Sequence, residues 1–156
     1  MDFQIKPLRL DAFSHLFGLD DAALAARKAS RQIVTAKPGT PCRVSMQDAE
    51  IGESVILISY THQPEDSPYH ASHAVFIREN ATQAHCAVNE VPEVIRSRLI
   101  SLRFFDQDHM MCAAEVVQGD GVADTIAQVF EDDQIAYAHI HNAKPGCFAA
   151  SVYPVN

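Results

Sequence analysis

Hydrophobic and polar positions along this chain alternate with period two more often than with period 3.6. Phe3-Gln4-Ile5 alternates and predicts a short strand ended by Pro7. Phe13, Leu16 and Phe17 form one apolar face, which predicts a helix capped by Asp11 and closed at Gly18. A second helix is expected from Asp20 or Asp21 through an alanine-rich run to Lys28, and Ser30 to Ala36, which carries Gln32-Ile33-Val34-Thr35, follows as a strand. Ser54-Val55-Ile56-Leu57-Ile58-Ser59-Tyr60 is apolar on both faces and rich in β-branched residues, the pattern of a central strand. His73 to Glu79 is another strand. Pro92 starts a short helix that runs to Arg96. Leu99–Phe105 reads as a strand turning at Asp106-Gln107-Asp108, and Met110–Val117 returns as its hairpin partner, although Met110-Met111-Cys112-Ala113-Ala114 also suits a helix. The best helical signal follows Gly119-Asp120, where Val122, Ile126, Val129 and Phe130 share one face. Ile135 to Asn142 and Phe148 to Tyr153 are the last strands, joined by a turn whose Pro145-Gly146 suits the two central positions of type II.

Several consecutive strands lack a helix between them. This favours an α+β fold, a mostly antiparallel sheet with a few packed helices, over a regular βαβ array. Linkers, repeats and low-complexity tracts are absent from the sequence, so residues 1–156 read as a single domain. A chain of this length buries about 68–70% of its unfolded surface and needs neither metal nor disulfide to fold.

Charge narrows the partners. Twelve basic and 20 acidic residues give a net charge of -8, which argues against nucleic acid and against anionic lipid as ligands. No run of about 18 apolar residues predicts a membrane span. The N-terminus lacks a basic region followed by an apolar core, so a cytoplasmic location is expected. Cys42, Cys86, Cys112 and Cys147 are then expected as reduced thiols, and none forms a Cys-x-x-Cys pair. Gly119-Asp120-Gly121 is too short for a phosphate loop, and no Gly-x-Ser-x-Gly marks a nucleophilic serine.

The densest chemistry lies in Tyr137-Ala138-His139-Ile140-His141-Asn142-Ala143-Lys144-Pro145-Gly146-Cys147. His139 and His141 are two apart on a strand and point to one face, with Cα atoms about 6.5–7 Å apart. Such a pair can converge on a divalent metal if a third ligand joins them; His62, His73, Cys42 and Cys147 are the candidates. The competing reading makes one histidine a hydrogen-bonded sheet residue and the other a solvent-exposed one. Asn142 leads into the turn and is expected to hold it by bonding backbone two residues on. Cys42 and Cys147 each follow a Lys-Pro-Gly turn. Either thiol can serve as a nucleophile if a cation activates it, Arg43 for Cys42 and His141 for Cys147, although a free cysteine is more often an apolar filler. Arg78 and Arg103 sit within apolar strands and need partners, either Glu79, Glu115 or Asp106 in salt bridges or a bound anion.

Pro41-Cys42-Arg43-Val44-Ser45, Ser67-Pro68-Tyr69, Phe76-Ile77-Arg78-Glu79, Ser101-Leu102-Arg103 and His141-Asn142-Ala143-Lys144-Pro145-Gly146-Cys147 together resemble an uncharacterised bacterial family, domain of unknown function twelve-oh-three. The likeness spans nearly the whole chain. It implies a single-domain protein and carries over no activity. It also implies a small residue at position 73 and arginine at position 70, where this chain has His73 and His70, which argues against a role for either that the family shares.

Three functional readings stay open. One is a small enzyme for an anionic substrate, with His141 and Cys147 catalytic and Arg43, Tyr69, Arg78 and Asn142 binding. Another is a non-catalytic module that holds a small-molecule metabolite, or a metal through His139 and His141. The last is a homodimer in which the histidines serve packing alone.

Overall fold

The computed structural model describes residues 1–155, which form two antiparallel sheets with short helices. β1 (Asp2–Lys6), β5 (Leu99–Phe105), β6 (Met111–Gln118), β7 (Tyr137–Asn142) and β8 (Phe148–Val155) build a five-stranded sheet in the order β1-β8-β7-β5-β6. β2 (Ala29–Ile33), β3 (Ser54–Gln63) and β4 (Ala71–Arg78) form a three-stranded sheet with β3 in the middle. The expected α+β architecture is present. The apolar Ser54–Tyr60 run is a central strand as its two-faced pattern requires, extended three residues to Gln63.

The five-stranded sheet is covered on both faces, and its strands show why. From β5 and β7, Ile100, Leu102, Phe104, Ala138 and Ile140 pack with Val94 and Ile95 of α2 (Glu93–Arg96) and with Val122 and Ile126 of α3 (Val122–Val129), followed by Phe130. Val122, Ile126 and Phe130 are all buried, so the period of 3.6 read there is the face that covers this sheet. Alternation places Tyr137, His139 and His141 on the opposite face, toward the smaller sheet. There Phe148 enters a second core with Ile56, Val75 and Ile77 of the three-stranded sheet and with Leu16 and Leu24. The histidine pair therefore lies between the two sheets.

Several local expectations differ. Phe13 to Phe17 is not an α-helix: a 3-10 turn at Leu10–Ala12 precedes it and a second, Ser14–Leu16, lies within it, and no side chain caps either. Gly18 does end it, with φ of 79°. The alanine-rich helix α1 (Asp21–Ala25) starts on an Asp20 cap that accepts from the Ala23 N–H at 2.8 Å. It stops early, with Lys28 at a left-handed φ of 55°, and the chain enters β2 at Ala29, one residue before the strand expected over Ser30 to Ala36, and leaves it three residues sooner, at Ile33. Ile33 is in fact exposed while Val34 is buried just beyond the strand. Tertiary contacts outweigh local preference in both places.

Candidate functional site

Two features of strand pairing bring four imidazoles together. Between β3 and β4 the register slips between Thr61 and Gln63, leaving His62 as the extra residue of a bulge. A bulge re-aims side chains and is often placed next to functional sites. Between β7 and β8 the register slips again, so that Ile140 faces Ala150 but His141 faces Phe148. The His62 ring stacks on Phe148 at 5.0 Å between centroids and meets His139 at 5.4 Å and His141 at 5.0 Å edge-on. His73 on β4 stacks on the far side of His62, at 4.7 Å.

One nitrogen from each of His62, His139 and His141 lies within 4.8 Å of the other two. The three residues are only 8%, 3% and 0% exposed. His62 Nδ1, His139 Nδ1 and His141 Nε2 are buried and have no hydrogen-bond partner. The remaining nitrogens of two of them are occupied. His141 Nδ1 bonds the Gly146 carbonyl at 3.0 Å, which fixes the proton on Nδ1 and leaves a lone pair on Nε2. His62 Nε2 and His73 Nδ1 are 2.8 Å apart, so one donates to the other.

Burial keeps these rings neutral. It pushes the His62 imidazole down to about 3, helped by His139, His73 and Arg103. His139 falls to about 4 from burial and then Arg103. His141 falls to about 3, chiefly from burial, although its bond to the Gly146 carbonyl acts in the opposite direction. Burial and Arg103 lower His73 as well. Neutral imidazole is the form that donates a lone pair to a metal.

Arg103 lies directly across from His139 in the β5–β7 pairing, on the face of the cluster. The salt bridges expected for it to Glu115 or Asp106 are not formed; among the described residues no carboxylate pairs with it, and burial alone lowers its pKa. Arg78 does have a partner, but that partner is Glu53 at 2.7 Å rather than Glu79, with Gln47 at 3.1 Å. Glu79 pairs instead with Arg31. Tyr69 packs edge-on to Phe105 at 5.9 Å, and Phe105 in turn stacks on Tyr137 and touches His139. Tyr69 is thus one ring removed from the cluster.

The turn after β7 is wider than type II. Gly146 N–H donates to the Asn142 carbonyl at 2.8 Å, spanning four residues rather than the three expected from Lys144 to Cys147, and Asn142 N–H donates to the Cys147 carbonyl at 2.9 Å. Gly146 does take the positive φ, 77°, that a glycine there supplies. The Asn142 amide does not bond backbone two residues on. It donates to Cys147 Sγ at 3.7 Å.

Neither thiol has the cation partner expected for it. Arg43 is next to Cys42 in sequence, but its Nη2 donates to Cys147 Sγ at 3.0 Å. Its Nε donates to the Phe148 carbonyl at 2.8 Å and its Nη1 to Pro41 O. His141, the expected partner of Cys147, turns its ring into the histidine cluster instead. Cys42 Sγ accepts from the backbone N–H groups of Ser45 and Arg78 at 3.4 and 3.3 Å. All four cysteines are free. Arg43, Asn142, His73 and Cys147 line a common cavity of about 700 Å³.

No curated protein and no solved structure matches this chain. A family model does, and every residue of the cluster and of the cavity except Pro38 falls within the matched span. The chain belongs to the family described as protein of unknown function (DUF1203), whose model matches residues 39–153.

Proposed function

We propose that this protein is a divalent transition-metal-binding domain whose centre is formed by His62, His139 and His141. Two observations carry it: one nitrogen from each of the three rings lies within 4.8 Å of the other two, and each ring has a buried nitrogen without a hydrogen-bond partner. A buried polar atom without a partner costs about 1–3 kcal/mol, and three together need a reason. A metal ion held between the three rings supplies one. Tetrahedral coordination at about 2.0–2.1 Å per bond sets ligand nitrogens about 3.4 Å apart, so the present spacing closes by a small inward shift of each ring.

The surroundings support ligation over proton transfer. The Gly146 carbonyl holds His141 in the tautomer that presents Nε2, and His73 can fix His62 in the same way; such second partners commonly orient metal-bound histidines. A proton carrier near neutral pH needs a pKa near 7, and burial takes His141 far below that. The donor set is all imidazole, which suits zinc, copper or nickel over magnesium or calcium. Among the described residues no carboxylate joins the three histidines, and the Arg103 cation is close by, so a small anion or hydroxide is the favoured fourth ligand. Because His62 comes from one sheet and His139 and His141 from the other, the ion also ties the sheets together.

Titration of the metal-free protein with Co²⁺ tests this. One equivalent is expected to give the intense visible bands of a four-coordinate cobalt site, and His62→Ala to abolish them. Absence of stoichiometric uptake, or uptake unaffected by His62→Ala, rules the site out.

A further inference from the structure

The cavity beside the turn has a chemistry separate from the histidine centre. Its volume of about 700 Å³ is that of a small-molecule site. Although the chain carries 20 acidic and 12 basic residues, no described aspartate or glutamate lines this cavity, whereas Arg43, Arg98 and Lys144 do. Arg98 is neutralised by Asp48 at 2.6 Å. Arg43 has no carboxylate: two of its three hydrogen-bond acceptors are backbone carbonyls, and the third is Cys147 Sγ. Arg43 is 2% exposed, and a buried cation without a counter-charge is costly. Of its three acceptors only the sulfur can carry a negative charge.

Cys147 Sγ is placed as an acceptor. Arg43 Nη2 and Asn142 Nδ2 both direct N–H groups at it, and neither group can accept a proton in return. Leu57, Phe76 and Leu99 give the cavity an apolar wall, and Lys144 at the exposed edge adds a second cation. The other thiols lack this setting. Burial and Glu90 push Cys86 up to about 11. Cys112, the most exposed of the four, is raised by burial and then by Asp106. Cys42 is buried and bonded to backbone.

We propose that Cys147 is the nucleophile of a pocket that takes small electrophiles bearing an anionic group, with Arg43 and Asn142 holding the sulfur and Lys144 drawing in the anion. The thiol first loses its proton to solvent. Its sulfur pair then forms a bond to the electrophilic carbon, while the bond from that carbon to the leaving group breaks and the leaving group departs with those electrons. With iodoacetate the product is a carboxymethyl thioether and iodide.

Limiting iodoacetate and, separately, limiting iodoacetamide on the full-length protein test this, with peptide mass mapping so that the four cysteines compete within one molecule. Cys147 is expected to be carboxymethylated first, about tenfold faster than the more exposed Cys112, the ratio that ~1.4 kcal/mol of transition-state stabilisation gives. The preference for iodoacetate over iodoacetamide is expected to be greater at Cys147 than at Cys112, and Lys144→Glu to reduce it without altering the Arg43 contact. Faster labelling of Cys112, or equal reagent preference at the two thiols, overturns the proposal. Arg43→Lys, which keeps the charge and loses the forked donor, should slow Cys147; if that variant does not fold, the Lys144 variant and the reagent comparison still decide.

Discussion

The histidine cluster and the Cys147 cavity are neighbours, with His73 packed on the one and lining the other, yet they handle burial in opposite ways. In the cluster, three polar nitrogens are buried without partners and the rings stay neutral. At the cavity, a buried guanidinium donates from each of its three nitrogens, to two backbone carbonyls and a sulfur. Unmet lone pairs call for a cation, whereas a bonded cation without a carboxylate calls for an anion. Gly146 joins the two: its carbonyl holds His141 on one side and its turn sets Cys147 on the other. The difference shows that burial alone does not assign chemistry; the state of the hydrogen-bond partners does.

Acidification should separate the two regions most strongly. The cluster histidines titrate at about 3 to 4 in the folded, metal-free protein against about 6.5 in the unfolded chain. Between those values the unfolded state binds more protons. Their contribution is therefore full above about pH 6.5 and is lost as the pH falls toward 4. With three such groups, the metal-free protein is expected to unfold before about pH 4, since total stability is only about 5–15 kcal/mol. Circular dichroism across pH checks this. A His62→Phe variant, with one fewer imidazole to protonate, should shift the acid midpoint downward. An unchanged midpoint would mean that the rings are not held neutral by burial.

Zinc should act on one region only. At a free concentration one hundred times its dissociation constant, a ligand that binds the folded state alone stabilises by about 2.7 kcal/mol. Thermal melts with zinc are expected to show that gain in wild type and in Cys147→Ser, and none in His141→Ala. Loss of the gain in Cys147→Ser would merge the two regions into one site.

Arg43→Met has the smallest expected effect of the three and probes the other side. It removes the guanidinium donor from the buried Phe148 carbonyl, at about 1–3 kcal/mol for one buried group left unpaired, and from the part-buried Pro41 carbonyl, where water can replace it. Denaturant melts should show this destabilisation with zinc uptake unchanged.

Much of the architecture is legible in the chain because both sheets follow period two and α3 follows period 3.6. The strand Leu99–Phe105 has the expected bounds, and the alternation in β7 places His139 and His141 on one face. Pairing across the fold is not local, and it decided the rest. His62 was one of four equal candidates for a third ligand. Only the bulge between Thr61 and Gln63, which depends on the register with β4, selects it. No residue type near His62 announces that bulge. The Arg43–Cys147 contact spans 104 positions, so sequence proximity assigned Arg43 to the wrong thiol. The helix expected over Phe13 to Phe17 is a single 3-10 turn at Ser14–Leu16, and Phe13 and Leu16 still reach the second core.

X-ray absorption at the zinc edge of the one-to-one complex tests the metal centre most directly, and it also tests the separation of the two regions. Imidazole nitrogen scatterers at about 2.0–2.1 Å, three per zinc, with no sulfur, are the expected result. A sulfur scatterer at about 2.3 Å would place a thiol on the metal and contradict the tris-histidine centre.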